Sequence, residues 1–283
     1  MSRFTRFAVA DWSGAKGSRH PGIALAVCEV GRDAPILVAP PERYWSRTAI
    51  LEWVLAQRDD MLIGFDFSFA PPLVTRGSYL PGDDVPGDAI AFRAYVDRLC
   101  DDEDLGAASF LERHHRRHFY FGAADGAKAD YMHLRICEAT YNARGGGKPS
   151  TVYDAIGAAQ VAKASFAGMR LLNRLQGRVP VWPFDPLPVD GPAIVEIYTS
   201  IAARAAGLRK GRSKLRDRAS LDEALGVLGS ERHVALSRYT DHATDAILTA
   251  AWLRANAARD ALWRPQGLTQ QVAQSEGWTF GVV

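Results

Sequence analysis

Short apolar runs separated by turn residues dominate the beginning of the chain. Residues 4–10 (FTRFAVA) form an apolar run that ends at Asp11 and a Trp-Ser-Gly turn, and residues 22–30 (GIALAVCEV) form a second run. Runs of this length bounded by turn residues are typical of buried strands. A weaker run over 35–39 follows a Gly-Arg-Asp turn, so the three runs together predict an antiparallel meander.

A helix and another strand follow the meander. Over residues 46–57 (SRTAILEWVLAQ) apolar residues recur with helical spacing after a serine, which commonly caps helices. Residues 61–65 (MLIGF) then form an apolar run that ends at Asp66 before a Pro-Pro pair. Two predicted strands therefore end in an aspartate.

The middle of the chain is less regular. Residues 77–150 are rich in Gly, Pro, Asp and basic residues, with helical spacing only near 89–100 and 129–140, and we interpret them as an inserted, mostly helical lobe. Beyond it, the pattern predicts a helix over 152–175, weakened by two glycines, and a strand over 179–186 (VPVWPFDP) that prolines end.

Three further segments complete the pattern. Residues 193–198 (AIVEIY) predict a buried strand with one charge, Glu196, and residues 204–218 predict a basic loop with a short helix. Residues 241–258 predict the clearest helix, because they are rich in alanine and free of Gly and Pro. The pattern indicates an α/β fold, with strands and helices in one domain over residues 1–283.

Composition narrows the class of protein. A chain of 283 residues with 47% hydrophobic residues can bury a sizeable core. Lys and Arg total 34 and Asp and Glu total 32, which gives a net charge of +2. A charge this small does not indicate that the protein binds nucleic acid through its overall electrostatic potential. A nucleic-acid partner would have to be recognised by local basic patches.

Cysteine spacing and hydropathy indicate the compartment. The three cysteines are scattered and lack the spacing of a zinc knuckle or a disulfide framework, which favours a reducing, cytoplasmic location. No run approaches the roughly eighteen apolar residues that a membrane span needs. The apolar run at the start is also too short for a secretion signal, so we expect no membrane association.

Three predicted strands each carry a carboxylate: Asp11, Asp66 and Glu196. A charge in or at the end of a buried strand is costly unless it is paired or bound to a metal ion. If the strands lie in one sheet, residues at equivalent heights on one face can converge. The three carboxylates therefore favour a shared site.

The last predicted helix adds further ligands. Asp241 and Asp245 are four residues apart on one face, and His242 is three residues from Asp245, so either neighbour can partner Asp245. Hard oxygen ligands without a nearby cysteine suit Mg²⁺ or Mn²⁺. Two such ions about 4 Å apart would stabilise the attacking and leaving oxygens of a phosphoryl displacement.

Structural roles are the alternative for some of these residues. Asp11 can hydrogen-bond to the backbone of its own turn, and Asp66 can cap the chain before the following prolines. Asp241 can lie in the first turn of its helix, where a negative charge interacts favourably with the helix dipole. Glu196 and Asp245 are different, because each lies in an apolar run where a lone carboxylate has no local partner. The joint pattern favours the shared site.

A series of short motifs carries a family resemblance. They are VADWSGAKG, LIGFDFSFAPP, GAAQVAKASFAGMRLLNRL, VWPFD, IVEIYTS, HATDAILTAAWLR and SEGWTFGV, and they cover both ends and much of the centre of the chain. Their order resembles the RNase H-like superfamily, particularly its resolvase-type nucleases. Within that superfamily the chain is most similar to the predicted nucleases grouped as domain of unknown function 429.

The resemblance has implications for the site and for the substrate. It implies a central mixed sheet, Glu196 near the site, and metal ligation by Asp11, Asp66 and Asp245. One departure is Thr199, where the family more often has proline, and another is the basic segment 113–118, which has no match in the family. These departures bear on the substrate more than on the fold.

Two basic segments are candidates for substrate contact. Residues 111–122 (LERHHRRHFYFG) could grip phosphates and stack a base, although a solvated helix face is the stronger interpretation. His114 and His118 have a zinc-compatible spacing but no fixed acidic third ligand. Residues 204–218 favour an anionic substrate, with a flexible charged loop as the equal alternative. From that segment we select the substrate-binding candidates Lys210, Arg212 and Lys214.

A glycine-containing turn supports a rival function. Residues 11–17 (DWSGAKG) suit a phosphate-contacting turn, which makes Lys16 a further substrate-binding candidate and a phosphotransferase or ATPase the main rival. Residues 144–150 (RGGGKPS) are not a Walker motif, because Asn142 replaces the first glycine and Pro149 the hydroxyl residue. The rival also needs a second phosphate turn and an adenosine pocket, which the sequence does not show.

The main hypothesis is a metal-dependent nuclease or phosphodiesterase that acts on nucleic acid or a nucleotide. It assigns catalysis to Asp11, Asp66, Glu196 and Asp245. It assigns binding of Mg²⁺ or Mn²⁺ to Asp11, Asp66, Asp241, His242 and Asp245. A non-catalytic binding protein ranks last, because a binding module has no need to hold charges in buried strands. The natural substrate and the oligomeric state stay open.

Overall fold

A five-stranded mixed sheet forms the centre of the protein. The structure is a computed structural model that describes residues 3–147, 150–156, 161–209 and 214–283. The strands are β1 (Arg6–Asp11), β2 (Ala24–Glu29), β3 (Ile36–Leu37), β4 (Met61–Phe65) and β5 (Ala193–Glu196). Their order is β3-β2-β1-β4-β5. β1, β2 and β3 pair antiparallel, whereas β4 is parallel to both β1 and β5. The predicted meander and mixed sheet are confirmed.

Helices flank this sheet. They are α1 (Arg47–Ala56), α2 (Ala89–Leu99), α3 (Ile136–Ala143), α4 (Val161–Arg174), α5 (Thr199–Ala205), α6 (Arg218–Val227), α7 (Asp241–Asn256), α8 (Asp260–Trp263) and α9 (Gln270–Ser275). A π-helical turn spans Phe110–His114, and 3-10 turns span Arg116–His118, Ala123–Asp125 and Lys128–Tyr131. Within the ranges described, no helix combines the length and the apolar character that crossing a membrane requires.

The two faces of the sheet bury separate apolar layers. Along β1, Phe7 and Val9 pack into the layer that contains α7, whereas Ala8 and Ala10 pack into the layer that contains α1 and α4. This alternation follows from the two-residue period of a strand. Because both faces are covered, β1 is almost wholly apolar until its last residue, Asp11.

The insertion between β4 and α4 is mostly helical, as predicted, and has an aromatic core of its own. Phe92 of α2, Phe110 and Phe119 surround Phe166 of α4, with ring centroids 5.1 to 6.2 Å from it. Gly168 of α4 allows another close approach, because a Cβ there would lie 2.3 Å from the ring of Phe67. Helix α4 therefore joins the insertion to the sheet.

Three predicted elements differ from the structure. The helix expected over 129–140 is broken, because Arg135 has an extended backbone and caps α3 together with Glu138. The helix expected over 152–175 is observed over Val161–Arg174, and residues 152–156 are not helical, since the backbone carbonyl of Tyr153 accepts a hydrogen bond from the N–H of Tyr120. The strand expected over 179–186 reduces to one bridge, from Val181 to Ile194, because its prolines lack the N–H that a ladder needs.

Candidate carboxylate site

The sheet topology brings the predicted acidic residues to one edge. Asp11 ends β1 and Asp66 directly follows β4, and these strands are parallel neighbours, so both side chains lie at the same end of the sheet. Helix α7 packs against β1 and β2 and begins at this edge. Around a cavity of about 600 Å³ the structure places Asp11, Asp66, Glu196, Asp241, His242 and Asp245.

Asp11 is buried and Asp66 and Asp245 are half-buried, and within the described part of the chain no arginine or lysine neutralises their charge by an ion pair. Burial, and then the negative charges of Asp11 and Asp245, raise the pKa of Asp66 well above its ordinary value. Burial, and then the charges of Asp11 and Asp241, raise the pKa of Asp245 to about 7. Carboxylates that raise one another's pKa in this way form a site of strong negative potential.

His242 partners Asp11 rather than Asp245. Its Nδ1 lies 2.5 Å from Oδ2 of Asp11, and this hydrogen bond raises the pKa of His242. The pKa of Asp11 is nevertheless raised, because the effect of burial exceeds that of the histidine. The imidazole is 45% exposed, so it lies between the carboxylates and solvent.

Asp241 differs from the other aspartates because basic residues compensate its charge. It forms ion pairs with Lys214 and with Arg216, the latter at 2.5 Å. Burial would raise the pKa of Asp241, but the hydrogen bond and charge of Lys214 outweigh it and the pKa is lowered. Lys214 also lines the cavity. The other two candidates from this segment, Lys210 and Arg212, lie outside the described residues.

Arg47 holds the turn after β1 by hydrogen bonds, and Lys16 of this turn contacts a residue outside the cavity. Lys16 lies outside the cavity lining and forms an ion pair with Glu112 at 2.9 Å. The buried guanidinium of Arg47 donates to the carbonyls of Ser13 at 2.8 Å and Ala15 at 2.6 Å. Sequence analysis missed this role, because Arg47 follows a helix cap and resembles an ordinary surface residue there.

Helix α4 packs closely against the same turn. A Cβ on Gly14 would lie 2.3 Å from the backbone nitrogen of Ala164, so only glycine fits without a shift. The indole of Trp12 donates to the carbonyl of Ala164 at 3.1 Å. The backbone N–H of Ala15 donates to the hydroxyl oxygen of Ser13, at 3.3 Å. The turn is thus shaped by packing and internal bonds, and it forms one wall of the cavity.

Glu196 is fully hydrogen-bonded in the cavity wall. Arg135 contacts both carboxylate oxygens, with Nη1 to Oε2 at 2.7 Å and Nη2 to Oε1 at 2.5 Å. The hydroxyl of Thr279 donates to Oε1 at 2.6 Å and the backbone N–H of Phe69 to Oε2 at 2.8 Å. The charge that the sequence shows without a local partner therefore has a distant one.

Arg135 also organises neighbouring segments. Its Nε donates to Oε1 of Glu138 at 2.9 Å, and Nη1 donates to the carbonyl of Glu276 at 3.2 Å. We call Arg135, Glu138 and Glu196 the arginine network. Sequence analysis missed Arg135; the one local signal is the Glu three residues later, whose carboxylate accepts the backbone N–H of Arg135 at 2.9 Å.

The spacing of the donor atoms limits how a single ion could bind. Over the described ranges, the one group of three acidic or histidine side chains whose donor atoms all lie within 4.8 Å of one another is Asp83, His115 and His118. Asp11, Asp66 and Asp245 are more widely spaced than that. One ion held by all three aspartates would require their side chains to move together, whereas two ions suit a wider cluster.

Comparison with known proteins identifies no relative. The chain matches no protein-family model, and it shows no significant similarity to a curated protein or to a solved structure. The likeness to the RNase H-like superfamily and to domain of unknown function 429 therefore stays a prediction from the motifs.

Proposed function

We propose that the cavity binds divalent metal ions and hydrolyses a phosphodiester, as a nuclease or phosphodiesterase of RNase H-like type. One observation carries the proposal: Asp11, which is buried, and Asp66 and Asp245, which are half-buried, line a single cavity without an arginine or lysine ion pair among the described residues. Buried charges of this kind are costly unless a cation compensates them. All three ligands are carboxylates, which suit Mg²⁺ or Mn²⁺.

The residues around the three aspartates have distinct parts in this proposal. The bound ions would polarise the phosphate and lower the pKa of an attacking water. His242 fixes Asp11 by binding one of its oxygens and leaves the other free for an ion. Glu196 is a positioning residue, because its four hydrogen bonds hold the end of β5 and the segment after Asp66 together.

The proposed substrate is anionic. Lys214 lines the cavity, and both Lys214 and Arg216 pair with Asp241 of the cavity wall. Basic side chains next to a metal site can contact the phosphates that flank the scissile bond. Because the chain is nearly neutral overall, this local charge, rather than the bulk charge, would select nucleic acid or a nucleotide.

The cytoplasmic location also remains a proposal. Cys28, Cys100 and Cys137 are all free thiols. Free cysteines are typical of proteins in reducing compartments, where disulfides rarely persist.

Metal binding is the first test. Calorimetric titration with Mn²⁺ is expected to show binding to the wild type and a loss of at least about tenfold in affinity for Asp11→Asn and Asp245→Asn, since each removes a charged ligand. At a Mn²⁺ concentration about 100 times the Kd, the wild type should also gain about 2.7 kcal/mol in unfolding free energy. Asp33→Asn changes an exposed aspartate away from the cavity and is the matched control.

Cleavage is the second test. Wild type with Mn²⁺ or Mg²⁺ should cleave at least one of branched DNA, single-stranded DNA or RNA, and Asp11→Asn should not. Unchanged Mn²⁺ affinity in both asparagine variants would refute the site. Turnover of ATP without cleavage of any nucleic acid would favour the rival phosphotransferase.

A further inference from the structure

A second cluster of metal-ligating side chains lies in the insertion, and the proposed function does not use it. Oδ2 of Asp83 lies 2.8 Å from Nδ1 of His115 and 2.8 Å from Nε2 of His118. Both imidazoles are 7% exposed and the carboxylate is 22% exposed. Three donor atoms thus point at one another from two segments of chain in a largely buried setting.

The local helix geometry explains why these histidines pair. His115 separates the π-helical turn Phe110–His114 from the 3-10 turn Arg116–His118 and caps the latter, and its carbonyl accepts the N–H of His118 at 3.0 Å, the three-residue spacing that places side chains on the same side. His115 and His118 therefore share a side, and the exposed His114 does not join them. The regular helix expected from the sequence had instead suggested the pair His114 and His118.

A hydrogen bond outside the cluster orients His115 for metal binding. Nε2 of His115 lies 2.9 Å from the hydroxyl of Tyr95. A hydroxyl can both donate and accept, so it can serve the ring whichever nitrogen carries the proton. A histidine that binds a metal through one nitrogen characteristically donates the other N–H to such a partner.

We propose that Asp83, His115 and His118 form a Zn²⁺ site with a fourth, open position for water. Two imidazole nitrogens and one carboxylate are ligands that zinc prefers, whereas the three aspartates proposed as ligands in the cavity suit Mg²⁺ or Mn²⁺. Tetrahedral zinc with ligand distances near 2.0 Å places its donors about 3.3 Å apart, and the donors here all lie within 4.8 Å of one another. Ligation needs only small side-chain movements.

The ion would fasten the insertion next to the carboxylate cavity. Asp83 precedes α2, whereas the histidines follow the π-helical turn, so zinc would cross-link two segments. Glu112 in that turn contacts Lys16 at 2.9 Å and Lys163 at 3.6 Å. Zinc would thereby hold the segment that contacts the turn after β1. This cross-link does not depend on the proposed hydrolysis.

Arg117 gives the site a charge signature. Its guanidinium pairs with Oδ1 of Asp83, the oxygen that faces away from the histidines. The arginine leaves Oδ2 free for the ion, but its Nε donates to Nε2 of His118 at 3.2 Å, and its positive charge opposes a cation. Replacing it with glutamine should therefore strengthen metal binding, an effect that a purely hydrogen-bonded cluster would not show.

Titration with Co²⁺, followed by its visible absorption, and competition with Zn²⁺ test the site in the full chain. The wild type should bind Co²⁺ with the intense absorption of tetrahedral coordination, and Zn²⁺ should displace it. Loss of a hydrogen-bond partner of a ligand costs about 10- to 100-fold in affinity, so Tyr95→Phe should fall in that range and His118→Ala should lose at least about a hundredfold. Arg117→Gln should bind more tightly than the wild type.

Matched variants separate this site from the carboxylate cavity. His114→Ala changes the neighbouring exposed histidine, and Asp11→Asn disables the cavity; both should leave the Co²⁺ spectrum and affinity unchanged. Asp83→Asn tests the same site at a more exposed position if His118→Ala fails to fold. Wild-type affinity in Asp83→Asn, or a loss in His114→Ala equal to that in His118→Ala, would overturn the zinc site and leave the cavity proposal intact.

Discussion

Two groups of carboxylates meet in one cavity wall, and they are compensated in opposite ways. In the arginine network, Glu196 receives both arms of the Arg135 guanidinium and two further hydrogen bonds. In the aspartate cluster, formed by Asp11, Asp66 and Asp245, Asp66 accepts hydrogen bonds from Thr199, and its strongest charged neighbours are the other two carboxylates. Glu196 and Asp11 are buried, whereas Asp66 and Asp245 are half-buried at the cavity.

The difference shows that burial of a carboxylate does not by itself indicate chemistry. Glu196 and Asp245 look alike in the sequence, since each is a lone charge in an apolar run. The chain supplies the cation for Glu196, whereas it supplies none by ion pair for Asp245 within the residues described. Only the second arrangement leaves negative charge for an external cation.

The largest expected effect comes from removing the arginine. Arg135→Met should lower the free energy of unfolding by about 3–5 kcal/mol, because it leaves Glu196 buried without its charged partner. Urea unfolding followed by circular dichroism measures the change. The double variant Arg135→Met/Glu196→Gln should recover part of the loss, since it removes the uncompensated charge as well.

An exposed arginine provides the control for that prediction. Arg113 pairs with Asp101 at the surface, so Arg113→Met should change the unfolding free energy little. If Arg135→Met were no more destabilising than Arg113→Met, the arginine network would not hold the cavity wall and the comparison would fail.

The edge of the sheet that carries the aspartates could be predicted from the sequence. The apolar runs before Asp11 and Asp66 have the length of strands, and each ends in its aspartate. Once two such strands pair in parallel, both ends must meet at one edge. Local pattern and sheet geometry were sufficient for this part of the site.

Long-range partners could not be predicted in the same way. Arg135 lies 61 positions from Glu196, and Lys214 lies 27 positions from Asp241. No local spacing encodes such pairs, because they depend on how the insertion and the loop before α6 return to the sheet. The histidine pair was missed for another reason: a π-helical turn changes the phase of the helix and replaces His114 by His115.

The second prediction concerns pH and the aspartate cluster. The pKa of Asp245 is raised from an ordinary 3.8 to about 7, chiefly by burial. Between these values the folded protein holds a proton that the unfolded chain has lost. In metal-free protein with chelator, the unfolding free energy should therefore fall as pH rises from about 4 to about 7, by up to about 1.4 kcal/mol per pH unit, and level off above that.

A substitution assigns this slope to the cluster. Asp245→Asn removes the titrating group and relieves the charge on Asp66, so its unfolding free energy should depend less steeply on pH across the same window. Asp33→Asn, at an exposed position, should keep the wild-type slope. An unchanged slope in Asp245→Asn would mean that the cluster does not carry uncompensated charge.

The smallest expected effect tests the hydrogen bonds that Asp66 does receive. The hydroxyl of Thr199 donates to Oδ2 of Asp66 at 3.3 Å, and both the hydroxyl and the backbone N–H of Thr199 lower the pKa of Asp66. Thr199→Val keeps the shape and removes the hydroxyl donor, so in metal-free protein at pH 8 it should lower the unfolding free energy by about 1 kcal/mol.

Thr199→Ser, which keeps the hydroxyl, should stay close to the wild type, and Thr199→Val should have a smaller effect in an Asp66→Asn background, where there is no charge to support.

Thr199 is the first residue of α5, a position where proline is tolerated, yet proline has neither donor. Thr199→Pro should therefore raise the pKa of Asp66 further than Thr199→Val and weaken Mn²⁺ binding more below pH 7. Equal Mn²⁺ affinity in the valine and proline variants would show that the backbone donor does not support the charged form of Asp66.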